Sequence, residues 1–161
     1  GFAHAAARER GGHTMTQQQK NMRDVLVALA LALMVGSFAI PAFTGYLERA
    51  RVARAVSEIG TMSLRLHQWQ RSGHTLPQNL GEAGIASAVD PWGRPYVYVR
   101  AADASRSQLR KDGELVPLNS DFDLYSLGPD GVSALALPAA PSRDDVVRAA
   151  NGAFIGVAAN Y

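Results

Sequence analysis

The sequence predicts an α+β chain, in which one long N-terminal helix leads into a small head containing strands. Two observations carry that expectation. From Val25 to Leu47 no residue is charged, while Arg23 and Asp24 mark one edge of the run and Glu48 and Arg49 the other. Directly after it, Val52, Val56, Ile59, Met62, Leu66 and Trp69 recur at steps of three and four, and Arg49, Arg51, Arg54 and Arg65 fall largely between them. That is the period of a helix apolar on one face.

The uncharged run of about 23 residues spans roughly 34 Å as a helix, enough to cross a hydrocarbon core of about 30 Å. No Gly-Pro cluster separates it from the amphipathic stretch. The economical reading is one helix from near Asn21 to Arg71, about 50 residues and roughly 75 Å long. Four segments follow: residues 1–19, a polar leader or upstream extension in which no fold is expected; 20–47, the hydrophobic transmembrane half of the helix; 48–72, its amphipathic half; and 73–161, the head, which includes 48–72 in its core. Met15 is a candidate natural start within the first segment.

Within the hydrophobic half, Pro41 lacks a backbone donor and clashes with the carbonyl four residues earlier, so a kink or melted turn is expected between Gly36 and Pro41. Ser72-Gly73 then supplies a helix stop. Asp90-Pro91-Trp92-Gly93 is a four-residue turn, with Pro at its second position and Gly at its fourth. Tyr96 to Val99 is strand chemistry. Ala101 to Asp112 reads as a polar loop or wide hairpin connection, and Asp121 to Leu127 alternates as a second strand, ended by Gly128-Pro129-Asp130-Gly131. A Pro- and Ala-rich stretch runs from Ala134 to Pro141. Ser142 to Ala150 is expected to form a short helix capped by Ser142, and Ala153 to Ala158 a last strand.

The chain has 161 residues, 16 basic and 14 acidic, and no cysteine. About 90 residues downstream of the helix support one small domain. A net charge of +2 is too small to imply nucleic acid as a partner, and a head without disulfides needs another staple, such as a metal ion or its neighbours. His67 and His74 invite a catalytic reading, yet no Ser or Cys nucleophile with a positioned acid accompanies them, so no enzyme activity is expected. Asp130, Asp144 and Asp145 are the one metal constellation the sequence suggests. Against it, Asp144 and Asp145 suit the first turn of a helix after Ser142, and Asp130-Gly131 suits a plain turn.

Several segments together resemble a known family. Ala39-Ile40-Pro41-Ala42-Phe43 is similar to the stretch of type IV pilins and pseudopilins in which a proline interrupts the hydrophobic helix. Asp90-Pro91-Trp92-Gly93-Arg94-Pro95-Tyr96, followed by Asp121 to Gly131, resembles the major pseudopilin of type II secretion systems. The resemblance covers Lys20 to Tyr161. It implies a type IV pilin-like fold: a long N-terminal helix packed on a small antiparallel sheet with a C-terminal loop.

The resemblance also implies a role for particular residues. Asp24 falls where the family carries an acidic residue that pairs with the amino terminus of the next subunit, with a neighbour's Lys20 as an alternative partner; the plain reading is an interfacial charge beside Arg23. Pro41 would let helices bundle at unequal angles in a filament. Carried over by position, calcium would be held by carboxylates of Asp130, Asp144 and Asp145 and by the carbonyls of Leu127 and Ser133, although the loop here is longer than the related Gly-rich one. A prepilin peptidase cuts the family between a glycine and a phenylalanine that becomes N-methylated; the aligned positions here are Gln19 and Lys20.

The function implied is that of a structural subunit, held in the bacterial inner membrane by one span with a periplasmic head. From there it would assemble with copies of itself and other pilin-like subunits into a secretion pseudopilus or a related filament. An inner-membrane platform protein and a cytoplasmic ATPase would serve it. Two rivals remain open at this level: a membrane-tethered, non-assembling, calcium-dependent binding module, and a subunit of a DNA-uptake or adhesive pilus.

Overall fold

In a computed structural model, residues 16–85, 88–105, 108–113 and 116–161 are described. The chain is α+β, with one long N-terminal helix, α1 (Gln17–Arg71), followed by six short strands. The expected lack of fold over residues 1–19 lies outside the described residues up to position 15. Beyond that it is corrected, because α1 already includes Gln17 to Gln19. The cause is local. Thr16 Oγ1 accepts from the backbone N–H of Gln19, and Gln19 Oε1 accepts from the N–H of Thr16 at 3.0 Å, a capping box that satisfies two donors left over at a helix start.

The chain divides into two compact units between Gly45 and Tyr46. In the first, α1 is uninterrupted through Gly36 to Pro41, so the melted turn expected there is absent. Its large apolar side chains are uncovered: Val25, Leu29, Leu33, Phe38, Ile40 and Phe43 are all 56 to 75% exposed.

In the second unit the strands are β1 (Val97–Arg100), β2 (Lys111–Asp112), β3 (Val116–Pro117), β4 (Phe122–Ser126), β5 (Val146–Ala149) and β6 (Phe154–Val157). β1, β4, β5 and β6 form one antiparallel sheet in that order, and β2 pairs with β3 as a two-residue ladder. In the larger sheet Tyr98 faces Leu124, Tyr125 faces Val147, and Arg148 faces Ile155. The core joins Ala55, Ile59, Met62 and Leu66 of α1 to Tyr96, Phe122, Leu124 and Val146. The stripe read from the sequence is therefore the face that the head buries. A fully buried Ile, Leu or Phe side chain contributes about 1.5 to 3 kcal/mol. Trp69 sits at the margin, with its ring N–H on the carbonyl of Thr75 and His74 against its face.

The short helix expected over Ser142 to Ala150 is corrected. Only Ala140–Ser142 and Ala150–Gly152 form single 3-10 turns, and Val146 to Ala149 is the strand β5, bonded on both edges. Val146, Val147, Arg148 and Ala149 are all buried. Such a strand shows no alternation, and two β-branched residues favour pairing over helix. Ser142 does not cap a helix. Its hydroxyl accepts from the N–H of Ala134 and donates to the carbonyl of the same residue, fastening the loop across eight positions.

Candidate functional site

Two features of the head bear on function, the joined sequence motifs and the acidic loop beside them. The Asp90 turn closes as predicted, with the N–H of Gly93 on the Asp90 carbonyl at 2.9 Å. One carboxylate oxygen of Asp90 accepts from the N–H groups of Trp92 and Arg94, and the other accepts from the Ser126 hydroxyl. Ser126 Oγ in turn accepts from the N–H of Gly128. The Arg94 guanidinium reaches the same turn, donating to the carbonyls of Gly128 at 2.7 Å and Pro129 at 3.2 Å. The two segments that carry the resemblance are thus one structural unit.

Two side chains hold this unit near α1. Trp92 Nε1 donates to Glu48 at 2.9 Å, and the Tyr96 hydroxyl donates to Glu58 at 2.5 Å. Burial, then the hydrogen bond to Glu58, pushes the Tyr96 phenol well above its ordinary range.

The acidic loop runs from the end of β4 to the start of β5. Asp130 is exposed, and its carboxylate accepts from the N–H of Val132. Asp144 accepts from the N–H of Asp130 at 3.2 Å. The carbonyl of Leu127 accepts from the N–H of Gly131. Asp145 is fully buried and bonds in a different direction: its Oδ2 lies 2.7 Å from Arg110 Nη1 and 2.6 Å from the hydroxyl of Ser133. Burial pushes the Asp145 carboxyl up, while Ser133 and the Arg110 charge pull it back in part.

The fold therefore brings Asp130 and Asp144 together but turns Asp145 and the Ser133 side chain toward an arginine. Among the described residues no group of three or more acidic or histidine side chains is gathered as a metal cage. A divalent cation needs several oxygens aimed at one point. Here Asp145, the fully buried one of the three loop carboxylates, faces the Arg110 guanidinium instead, so as arranged Asp130, Asp144 and Asp145 do not fit a shared calcium ion.

The sequence reading missed both buried arginines. Arg110 lies over the Tyr125 ring at 4.4 Å. Arg148 donates to both oxygens of Asp121, to the Phe122 carbonyl and to the Ser63 hydroxyl, and stacks on the Phe122 ring at 3.9 Å. Its Nη2 also lies 3.3 Å from His67 Nε2. His67 is thus part of the packing beneath the sheet, while His74 stacks on Trp69.

The assembly and processing positions all lie on α1. Asp24 is exposed and forms an ion pair with Arg23 at 3.1 Å. Gln19 and Lys20 fall within the first turn, where the N–H of Lys20 bonds the Thr16 carbonyl. Pro41 lies within the helix. The same helix holds an 18-residue window of mean hydropathy 2.4 of which none is buried, long and apolar enough to span a membrane. No protein-family model, curated protein or solved structure matches the chain.

Proposed function

We propose that this chain is a structural subunit of pilin type, with a type IV pilin-like fold. The apolar half of α1 anchors it in the bacterial inner membrane, with the head in the periplasm. It then packs against the same half of neighbouring subunits in a type II secretion pseudopilus or a related type IV filament. The observation that carries the reading is the division of labour along one helix. Residues from Val25 to Phe43 bear large apolar side chains that are exposed among the described residues, whereas Ala55, Ile59, Met62 and Leu66 are buried by the head. A contiguous uncovered apolar surface requires lipid or protein to cover it. A membrane span that later becomes the core of a helical bundle meets that requirement in both states.

In this reading Asp24, near the N-terminal edge of the span, pairs with the amino terminus or Lys20 of the next subunit and sets axial register. Other pilin-like subunits and a membrane platform protein are its partners, and a separate ATPase supplies the work. Intact mass and N-terminal sequencing of the protein from sheared surface filaments and from inner membrane test it. A chain cut before Lys20 in the sheared fraction is expected.

One observation favours a second reading, that of a tethered module which never assembles. The Gln19–Lys20 bond lies inside the capped first turn of α1, and a peptidase must unwind that turn to reach it. An uncut chain confined to the membrane would establish this second reading and sink the first.

A further inference from the structure

The acidic loop that the resemblance assigns to calcium contains a cation of its own. Arg110 Nη1 lies 2.7 Å from Asp145 Oδ2 and donates to the Ser133 hydroxyl at 2.5 Å, while that hydroxyl donates to Asp145. The three groups form a closed triangle. Arg110 is 1% exposed and Asp145 fully buried, so solvent does not screen the pair.

Arg110 is also fixed in place by its own backbone. Its N–H donates to Asp123 Oδ2 at 2.7 Å, and its carbonyl accepts from the N–H of Leu118 at 2.8 Å. The next residue, Lys111, bonds the chain at Leu135 and Leu137 on the near side of the same loop. The guanidinium therefore enters from a braced segment, over the Tyr125 ring, with the acidic loop wrapped around it.

An arginine side chain keeps its charge at every accessible pH. A divalent cation at Asp145 and Ser133 would lie against that charge in a medium of low dielectric, and would have to drive the guanidinium out of a buried site. Arg110 Nε and Nη2 and Asp145 Oδ1 are buried without a hydrogen-bond partner among the described residues, so each ion depends on the other for compensation.

We infer that Arg110 is the resident cation of this loop: it takes, at the Asp145 carboxylate, the place that the resemblance gives to calcium, with the Ser133 hydroxyl rather than its carbonyl as a second partner, and the head holds its C-terminal loop without a divalent ion. The inference does not depend on whether the chain assembles into a filament.

The test uses the full chain in detergent micelles, stripped with EDTA. The unfolding midpoint followed by circular dichroism is expected to stay the same when millimolar calcium is added, and equilibrium dialysis against radioactive calcium is expected to show no stoichiometric uptake. One calcium bound per chain with a raised midpoint would overturn the inference. Arg110→Met is expected to lower the midpoint in EDTA, and Asp145→Asn placed in the same chain to recover part of that loss, because it removes the carboxylate left unpaired. An Arg110→Met chain as stable as the parent would also overturn it. If that variant does not fold, the calcium titration of the parent chain decides alone.

Discussion

The Ser126 hydroxyl donates a 2.5 Å hydrogen bond to Oδ2 of Asp90, both groups being buried. It joins a turn before β1 to the end of β4, 36 positions away. Because the other oxygen of Asp90 holds the N–H groups of Trp92 and Arg94, the carboxylate serves its own turn and its neighbour at once. Replacing Ser126 by Ala removes one donor to a buried charge, which costs about 1.5 to 3 kcal/mol. Asp90→Ala removes the hub of all three bonds and is expected to cost more. Urea titrations of the two variants and the double variant check this, and the double variant should fall short of the sum of the singles.

Gly128 and Gly131 both have positive φ, 64° and 72°, yet they differ in what stands beside them. A Cβ on Gly128 meets the backbone carbonyl of Asp144, which cannot move without shifting β5, whereas one on Gly131 meets the end of the Arg94 side chain. Gly128→Ala therefore adds a backbone collision to a left-handed strain of about 1 to 3 kcal/mol. It is expected to be the more damaging of the two. Gly131→Ala is expected to displace the Arg94 guanidinium from the carbonyls of Gly128 and Pro129. The order of the two unfolding midpoints is the measurement, and the reverse order would contradict the geometry.

How much of this was legible in the sequence follows from the range of each interaction. The helix, the Asp90 turn and the strands at Tyr98 and Leu124 rest on local period and turn chemistry, which a sequence displays. β5 rests on pairing with β4 and β6 on both edges. Its Val146-Val147-Arg148-Ala149 run has no period to read, and the carboxylates beside Ser142 imitate a helix start. The partners of the buried arginines are equally hidden. Asp121 lies 27 positions from Arg148, and nothing in the spacing marks a strand arginine as buried. The Thr16 to Gln19 capping box was local and open to view, since Thr-x-x-Gln before an apolar run is its signature.

The Arg148–Asp121 pair sets an acid limit on the head. Burial raises the Asp121 carboxyl, but the hydrogen bonds from Arg148 and from the Phe122 N–H, with the Arg148 charge, outweigh it and leave the group below its ordinary value. A carboxylate depressed in the folded state contributes stability that is present above its unfolded pKa of about 4 and is lost as pH falls through the folded value. Asp123 and Asp145 are displaced upward, chiefly by burial, so their protonation opposes the loss as pH falls. Arg148→Met is expected to cost about 3 to 5 kcal/mol at neutral pH, because it leaves Asp121 partly buried and unpaired. It is also expected to flatten the acid branch, since Asp121 no longer has a depressed pKa to lose. Urea unfolding of both chains from neutral pH to pH 3 shows whether the two curves converge; parallel curves would mean that the pair carries no acid sensitivity.

The uncovered apolar half of α1 predicts a position-dependent response to charge. Leu33 is 67% exposed in the middle of the uncharged run, and Leu64 is 53% exposed on the amphipathic half. Exposure in the folded chain is similar, so a helix that stays in water would tolerate arginine at either site. A helix that enters lipid would not. Arginine near the centre of a span costs about 2.5 to 3.5 kcal/mol on insertion scales, and flanking water cannot relieve it without thinning the bilayer. Leu33→Arg is therefore expected to shift the protein from the carbonate-resistant membrane fraction to the soluble or degraded fraction, while Leu64→Arg leaves membrane retention as it was. Equal retention of both variants would place the apolar half of α1 outside the bilayer, and its cover would then have to be protein alone.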